Sequence, residues 1–170
     1  DLQAGAFLVE MEFWFGARDT DLARIDRAVT RHTLQRRSRP PLGAVRLQGM
    51  LKGFIDLVFE HEGRYYVADY KSNWLGPDDG AYTASAMAAA VAAHRYDLQY
   101  ALYLFALHRL LKSRLPDYDY DRHVGGAVYL FVRACRGDDG GVFVERPPRA
   151  LIDALDALFA SVAPVDKEAR

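Results

Sequence analysis

Residues 53–74 read GFIDLVFEHEGRYYVADYKSNW, and their reading decides the fold. Two apolar runs, 52–59 and 65–70, flank the polar EHEGR. Gly63 can take the positive φ that a two-residue hairpin turn demands, so the spacing predicts an antiparallel hairpin with Glu62 and Gly63 at its centre. Positions whose numbers sum to 125 then face each other, which sets Asp56 across the ladder from Asp69. Facing side chains in such a pair lie about 5 Å apart at Cβ. Lys71 shares the face of Asp69, because strand side chains alternate.

Two carboxylates that close repel. Unit charges ~5 Å apart cost on the order of 3 kcal/mol at an effective dielectric of about 20. A cation or a shared proton is needed beside them, and hard carboxylate oxygens suit Mg²⁺ or Mn²⁺. A bland alternative exists: both aspartates mark strand ends and Lys71 pairs with one of them. Against it, Asp56 and Asp69 both interrupt apolar strands, where an unpaired charge is expensive.

Further along the chain, Gln99 and Tyr103 form QxxxY within a helical run. GFID, DYKS and QxxxY together resemble the RecB-family nucleases of the PD-(D/E)xK, restriction-endonuclease-like superfamily. LQGMLKGFIDLVF, EGRYY, DYKSNWLG, AYT, HRYDLQY and YDYDRHVGGAVYLF carry the resemblance from about Leu47 to Val132. It implies an α/β fold, a mixed β-sheet flanked by helices. It also implies a Mg²⁺-dependent DNA exonuclease domain in which Mn²⁺ can substitute. Asp56, Asp69, Lys71, Gln99 and Tyr103 would be catalytic, and Asp56, Asp69 and the Tyr70 main-chain carbonyl would hold the metal. The implied partners are DNA and RecC- and RecD-like subunits of a helicase–nuclease complex in the bacterial cytoplasm. The family's remaining metal ligand is a histidine on a helix before the first strand. None of His32, His61, His94, His108 or His123 occupies that place, so the chain reads as a single nuclease domain, residues 1–170, cut from a longer subunit without its first helix. Its start at Asp1 rather than methionine agrees with that reading. The competing expectation is a catalytically silent module that docks DNA or partner subunits.

Composition bounds the rest. With 51% hydrophobic and 26% charged residues, the 170-residue chain has the make-up of an ordinary globular domain. Its net charge of −1 means that any nucleic-acid contact must come from local basic patches. The single cysteine, Cys135, excludes an internal disulfide and fits a reducing compartment. No apolar run approaches the ~20 residues needed to span a bilayer, so no membrane partner is expected.

Outward from the hairpin, 6–15 reads as a strand with Glu10 and Glu12 on one face. These glutamates are either a solvent-facing side or a third acidic group near the metal. Asp21 suits the cap of a short helix, after which the chain turns basic at Arg31, His32, Arg36, Arg37 and Arg39. That run is either a solvated loop or a phosphate clamp, since Arg binds phosphates bidentately. Arg31, Arg36, Arg37 and Arg39 are its nucleic-acid-binding candidates. Trp74 is expected to plug the core where strand meets helix, with base stacking as the alternative. The Ala-rich 82–94 predicts a close-packed helix, and Tyr96 to Leu115 an amphipathic one with Tyr96, Gln99, Tyr100, Tyr103 and Leu107 along one side. A buried strand over 126–134, a turn at RGDDGG, an edge strand over 141–145 and a helix over 149–162 complete the expected order.

Overall fold

The computed structural model describes residues 7–134 and 140–160. Cys135, most of the RGDDGG turn, Ala6 and the expected last helical residues 161 and 162 lie outside them. The fold is built on a five-stranded mixed sheet in the order β1-β2-β3-β4-β5. The strands are β1 (Phe7–Asp21), β2 (Arg46–His61), β3 (Arg64–Lys71), β4 (Val124–Phe131) and β5 (Val142–Glu145). All neighbouring pairs are antiparallel except β3 with β4. A parallel pair needs a long crossover. Here it runs through α2 (Ala84–Ala93), α3 (Tyr96–Arg114) and the single turn α4 (Tyr120–His123). Helices α1 (Leu22–His32) and α5 (Arg149–Ala160) complete the helical layer. Among the described residues no helix is long and apolar enough to cross a membrane.

The hairpin turns where the sequence places it. Glu62 and Gly63 both have positive φ, at 51° and 76°, the signature of a primed turn whose twist matches the flanking strands. Register follows: His61 faces Arg64, and the pairs continue to Leu57 with Ala68. Farther along β2, Gly53 lets a ring lie flat across the strand, since a Cβ there would come within 2.3 Å of Phe13. Phe13 and Phe15 then pack on the rings of Tyr103 and Phe105, 5.8 and 5.0 Å away.

Helix α1 starts as its sequence suggests, with the Asp21 carboxylate accepting from the Ala23 amide. Helix α3 departs from expectation. It is buried on most sides, with Tyr100, Ala101, Leu104, Phe105, Leu107 and Leu111 all at 0% exposure. The reason is its place: the sheet lies on one side of it, and α1, α2 and α5 pack around the rest. Asp97 and His108 are therefore inside the protein and Gln99 is partly buried, and all three need partners.

Candidate active site

The C-terminal end of β3 delivers the chemistry. Strand alternation aims Asp69 and Lys71 at α3, while Tyr70 points away and is exposed. Both charged side chains are nearly sealed from water, at 7% exposure each, and Lys71 Nζ lies 2.6 Å from Asp69 Oδ1. The ammonium also donates to Gln99 Oε1 at 2.6 Å. Its remaining directions face the rings of Tyr96 and Tyr129, whose centroids are 4.0 and 4.4 Å away. Such a cage suits a desolvated cation.

Gln99 is the hub. Its Oε1 accepts from Lys71 and stands 3.0 Å from the Tyr129 hydroxyl. Its Nε2 donates to Asp69 Oδ2 at 3.2 Å and to the Tyr103 hydroxyl at 2.9 Å. Two donors and two acceptors thus use the full capacity of one amide. The Tyr129 hydroxyl also lies 2.9 Å from the Tyr96 carbonyl, so a single proton serves two acceptors. Burial and the Asp69 charge push the Tyr103 phenol up to about 12. Tyr103 is therefore a neutral donor at working pH and no base.

Asp56 takes a different contact from the one its numbering suggests. Ladder pairing of β2 with β3 stops at Leu57 and Ala68, one step short. Past that point Asp56 Oδ2 accepts from the Tyr70 amide at 3.3 Å, reaching beyond Asp69 along β3. Its charge is still felt. Burial first, and the Asp56 charge in addition, hold the Asp69 carboxyl above the usual carboxylate range, although Lys71 pulls the other way.

That shift sets a sign. The folded protein without metal holds the Asp69 proton more tightly than the unfolded chain does. The contribution of Asp69 to stability is then fully present below pH about 4 and is lost as pH rises through the raised value. Asp56→Asn removes one cause of the shift. The variant should melt about 2–4 °C higher at pH 7 in chelator, corresponding to roughly 1 kcal/mol or less, with no gain at pH 3. Equal or lower melting at pH 7 would show that the two carboxylates do not oppose each other.

The two glutamates of β1 separate. Register leaves Glu10, at φ +53°, opposite Asp56. Glu12 is solvent-exposed and paired with Lys52 at 2.9 Å. Among the described residues no three His, Cys, Asp or Glu side chains gather closely enough to hold a metal. The groups that would hold a cation here are the Asp56 and Asp69 carboxylates, with the Tyr70 carbonyl the third expected donor. Such a set suits a hard divalent cation, since one or two carboxylates commonly suffice when waters and substrate phosphates complete the shell.

The basic segment divides as well. Arg39 is not available to a phosphate: its side chain is 1% exposed and pairs with Asp97, at 0%, over 2.6 Å. Arg95 joins them, in the left-handed region at φ +56° between α2 and α3. It bridges Asp97 at 3.1 Å and Asp26 at 2.5 Å, and donates to the Pro40 carbonyl. Nothing in the Arg-rich run points to Asp97 as the partner. The available signal was the acid itself, set in the first turn of an otherwise apolar helix. Arg31 and Arg36 line a cleft of about 800 Å³, together with Arg27, His32 and Asp26. None of Asp56, Asp69, Lys71, Gln99 or Tyr103 borders it. Arg37 is exposed beside Ser85. Trp74, expected in the core, stands 67% exposed just past Lys71. In the core nearby, Tyr82 packs against Phe131 instead.

With this geometry in view, comparison with known proteins gives one answer. A family model described as the PD-(D/E)XK nuclease superfamily matches residues 8–167. The chain is 50% identical over 157 residues to the RecBCD enzyme subunit RecB of Escherichia coli (strain K12), a match covering 91% of this chain and 13% of that protein. RecB of Haemophilus influenzae is 40% identical over 163 residues, covering 94% of this chain and 13% of its own length. RecB of Mycolicibacterium smegmatis is 41% identical over 143 residues, covering 76% and 13%. The chain therefore spans about an eighth of the length of these relatives.

Proposed function

Because this chain belongs to the PD-(D/E)XK nuclease superfamily, we propose that it is the Mg²⁺-dependent exonuclease domain of a RecBCD-type helicase–nuclease. In that role it hydrolyses DNA phosphodiester bonds while double-strand breaks are processed for recombinational repair in the bacterial cytoplasm. RecC- and RecD-like subunits are its partners there. The observation that carries the proposal is the Asp69–Lys71–Gln99 cluster, in which a buried carboxylate, an ammonium and a fully bonded amide converge at the end of one strand.

Each residue has a task. Asp56, Asp69 and the Tyr70 carbonyl are the proposed metal donors. A divalent cation bound there supplies Lewis acidity, activating water and offsetting phosphate charge. Lys71 orients the attacking water or balances the charge that develops on the phosphoryl oxygens. Gln99 fixes Asp69 relative to Lys71, and Tyr103 donates to Asp69 and holds Gln99 from the next turn. Arg31, Arg36 and Arg37 remain candidates for backbone contacts along the DNA path, while Arg39 belongs to the interior.

A silent docking module would have no use for this cluster. Sealing a carboxylate and an ammonium away from water costs several kcal/mol per ion before their attraction is counted, and an apolar pair would fold at least as well. Crystals soaked in Mn²⁺ test the proposal directly. An anomalous peak is expected between the carboxylates of Asp56 and Asp69. A soaked crystal with no peak at those oxygens would overturn the metal assignment.

A further inference from the structure

Trp74 is a large apolar side chain held in water three residues beyond Lys71, at 67% exposure. The segment that carries it is tied down at both ends. The buried Tyr82 hydroxyl donates to the Asn73 carbonyl at 3.2 Å and accepts from the Leu75 amide at 3.3 Å, so one phenol clamps the residues on either side of Trp74. The Asn73 side chain accepts from the Tyr96 hydroxyl at 3.3 Å, and the Tyr96 ring is one wall of the Lys71 cage. Arg133 Nε donates to the Ser72 carbonyl at 2.8 Å, and the Val132 amide donates to the Lys71 carbonyl at 3.1 Å. The indole is thus rigidly referenced to the catalytic lysine while its own face is bare.

Beside it lies a small cleft of about 210 Å³, bordered by Trp74, Pro77, Asp78, Asp79, Tyr82 and Arg133. Its walls differ in chemistry. One side offers a flat aromatic, one a guanidinium, and one two carboxylates. A phosphate would be repelled by Asp78 and Asp79 but attracted by Arg133, whereas a base edge with its amino groups is compatible with the acids. Three residues of chain reach about 10 Å at most. Stacked nucleotides repeat about every 3.4 Å along one strand, so Trp74 stands within about three nucleotides of a phosphate held at Lys71.

We propose that Trp74 is a stacking platform for an unpaired base of the DNA strand being cut, with Arg133 taking the adjoining phosphate. This subsite rests on the nuclease reading and deepens it: it selects single-stranded DNA at the site, because a base inside a duplex has no free face to offer. An exposed aromatic is also a common anchor for a partner protein. Its rigid link to Lys71 and the neighbouring guanidinium favour nucleic acid here.

The chain contains two tryptophans, Trp14 and Trp74. Trp14 lies on the outer face of the β1–β2 ribbon, beneath Lys52. In Trp14→Phe protein the emission comes from Trp74 alone. Titrated in chelator with a 12-nucleotide unstructured single strand, that emission should be quenched, and a blunt duplex of equal length should quench it far less. By anisotropy of labelled strand, Trp74→Ala in the full chain should bind roughly five- to hundredfold more weakly, the range one base–aromatic stack is worth. Trp74→Phe should restore most of the affinity, and both variants should melt within about 2 °C of the parent, since the indole is exposed. Unchanged affinity in Trp74→Ala together with no quenching would overturn the proposal. So would a variant that binds strand normally but is lost from its partner subunits, which would make the surface a protein interface. Asp69→Ala separates this test from that of the nuclease reading. It should stop cutting and leave the quench in place. Cutting that survives Asp69→Ala sinks the nuclease reading, and a Trp74→Ala protein that binds normally while Asp69→Ala is dead sinks only the platform.

Discussion

Lys71→Ala should abolish hydrolysis of linear DNA, with a fall of at least about 100-fold, the order seen when one preorganised transition-state donor is removed. The ammonium is held by Asp69 Oδ1, by Gln99 Oε1 and by two aromatic faces, and among the described residues no other lysine or arginine is paired with Asp69. A second effect accompanies the first. Asp69 is 5% exposed, and without its counter-ion it is a buried charge with only amide and phenol partners. Breaking a buried pair from one side costs about 3–5 kcal/mol. The variant should therefore be less stable at pH 7 and regain stability on acidification, as Asp69 takes up a proton. In a helicase-bearing parent subunit, ATP-driven unwinding should continue. Both readouts come from one preparation: gel-based digestion of end-labelled linear DNA with Mg²⁺, and thermal melts at pH 4 and pH 7. Cutting within tenfold of the parent would remove Lys71 from the chemistry.

The largest loss of stability should follow Asp97→Ala. Asp97 is fully buried, and it neutralises Arg39 and Arg95, themselves 1% and 10% exposed. Removing it leaves two guanidiniums inside the protein with one remaining carboxylate, Asp26, in contact with Arg95 alone. The expected cost is again about 3–5 kcal/mol, a fall in melting temperature of about 10 °C for a domain of this size. Asp97 also anchors the first turn of α3, two residues before Gln99, so the surviving folded protein should cut DNA more slowly. Adding Arg39→Met to Asp97→Leu should recover part of the stability, because an apolar pair can replace a buried ionic one. A melting temperature within 2 °C of the parent for Asp97→Ala would mean that the network contributes little.

What could be read from the sequence was what short-range rules govern. The turn at Gly63 needs a positive φ, and that alone fixed the register from Leu57 to His61. Asp69 and Lys71 share a face because they are two apart on a strand. Gln99 stood out as a polar side chain in an apolar stripe, and its partners turned out to be the site itself. The errors arose where tertiary neighbours decide. Arg39 looks like a solvent-facing base until its partner, 58 positions away, comes to meet it. The ladder pairs run only to Leu57 and Ala68, and the contact Asp56 makes next, with the Tyr70 amide, is one that local alternation does not encode. Trp74 sits where strand gives way to helix, a place that suggests a core plug, but Tyr82 packs against Phe131 there and the indole stays in water. The stripe on α3 reads as amphipathic because the three helices that cover it are invisible in its own periodicity.

The one parallel pairing in the sheet has a consequence for the order of events when the protein is made. The β2–β3 hairpin can zip from its turn as soon as it leaves the ribosome, since its partners lie close in the chain. Lys71, however, is completed by β4, where its register partner Phe131 lies sixty positions further on. Tyr129 on that same strand supplies a wall of the ammonium cage. Contacts so distant in sequence must wait until the intervening loop is closed, an entropic step that non-local sheets complete late. Asp56, Asp69 and Lys71 are thus translated early, but Lys71 gains its last ring only after α3 and β4 have emerged. A nascent chain that already displays Asp56, Asp69 and Lys71 still lacks the enclosed ammonium, which is assembled only once β4 has joined the sheet.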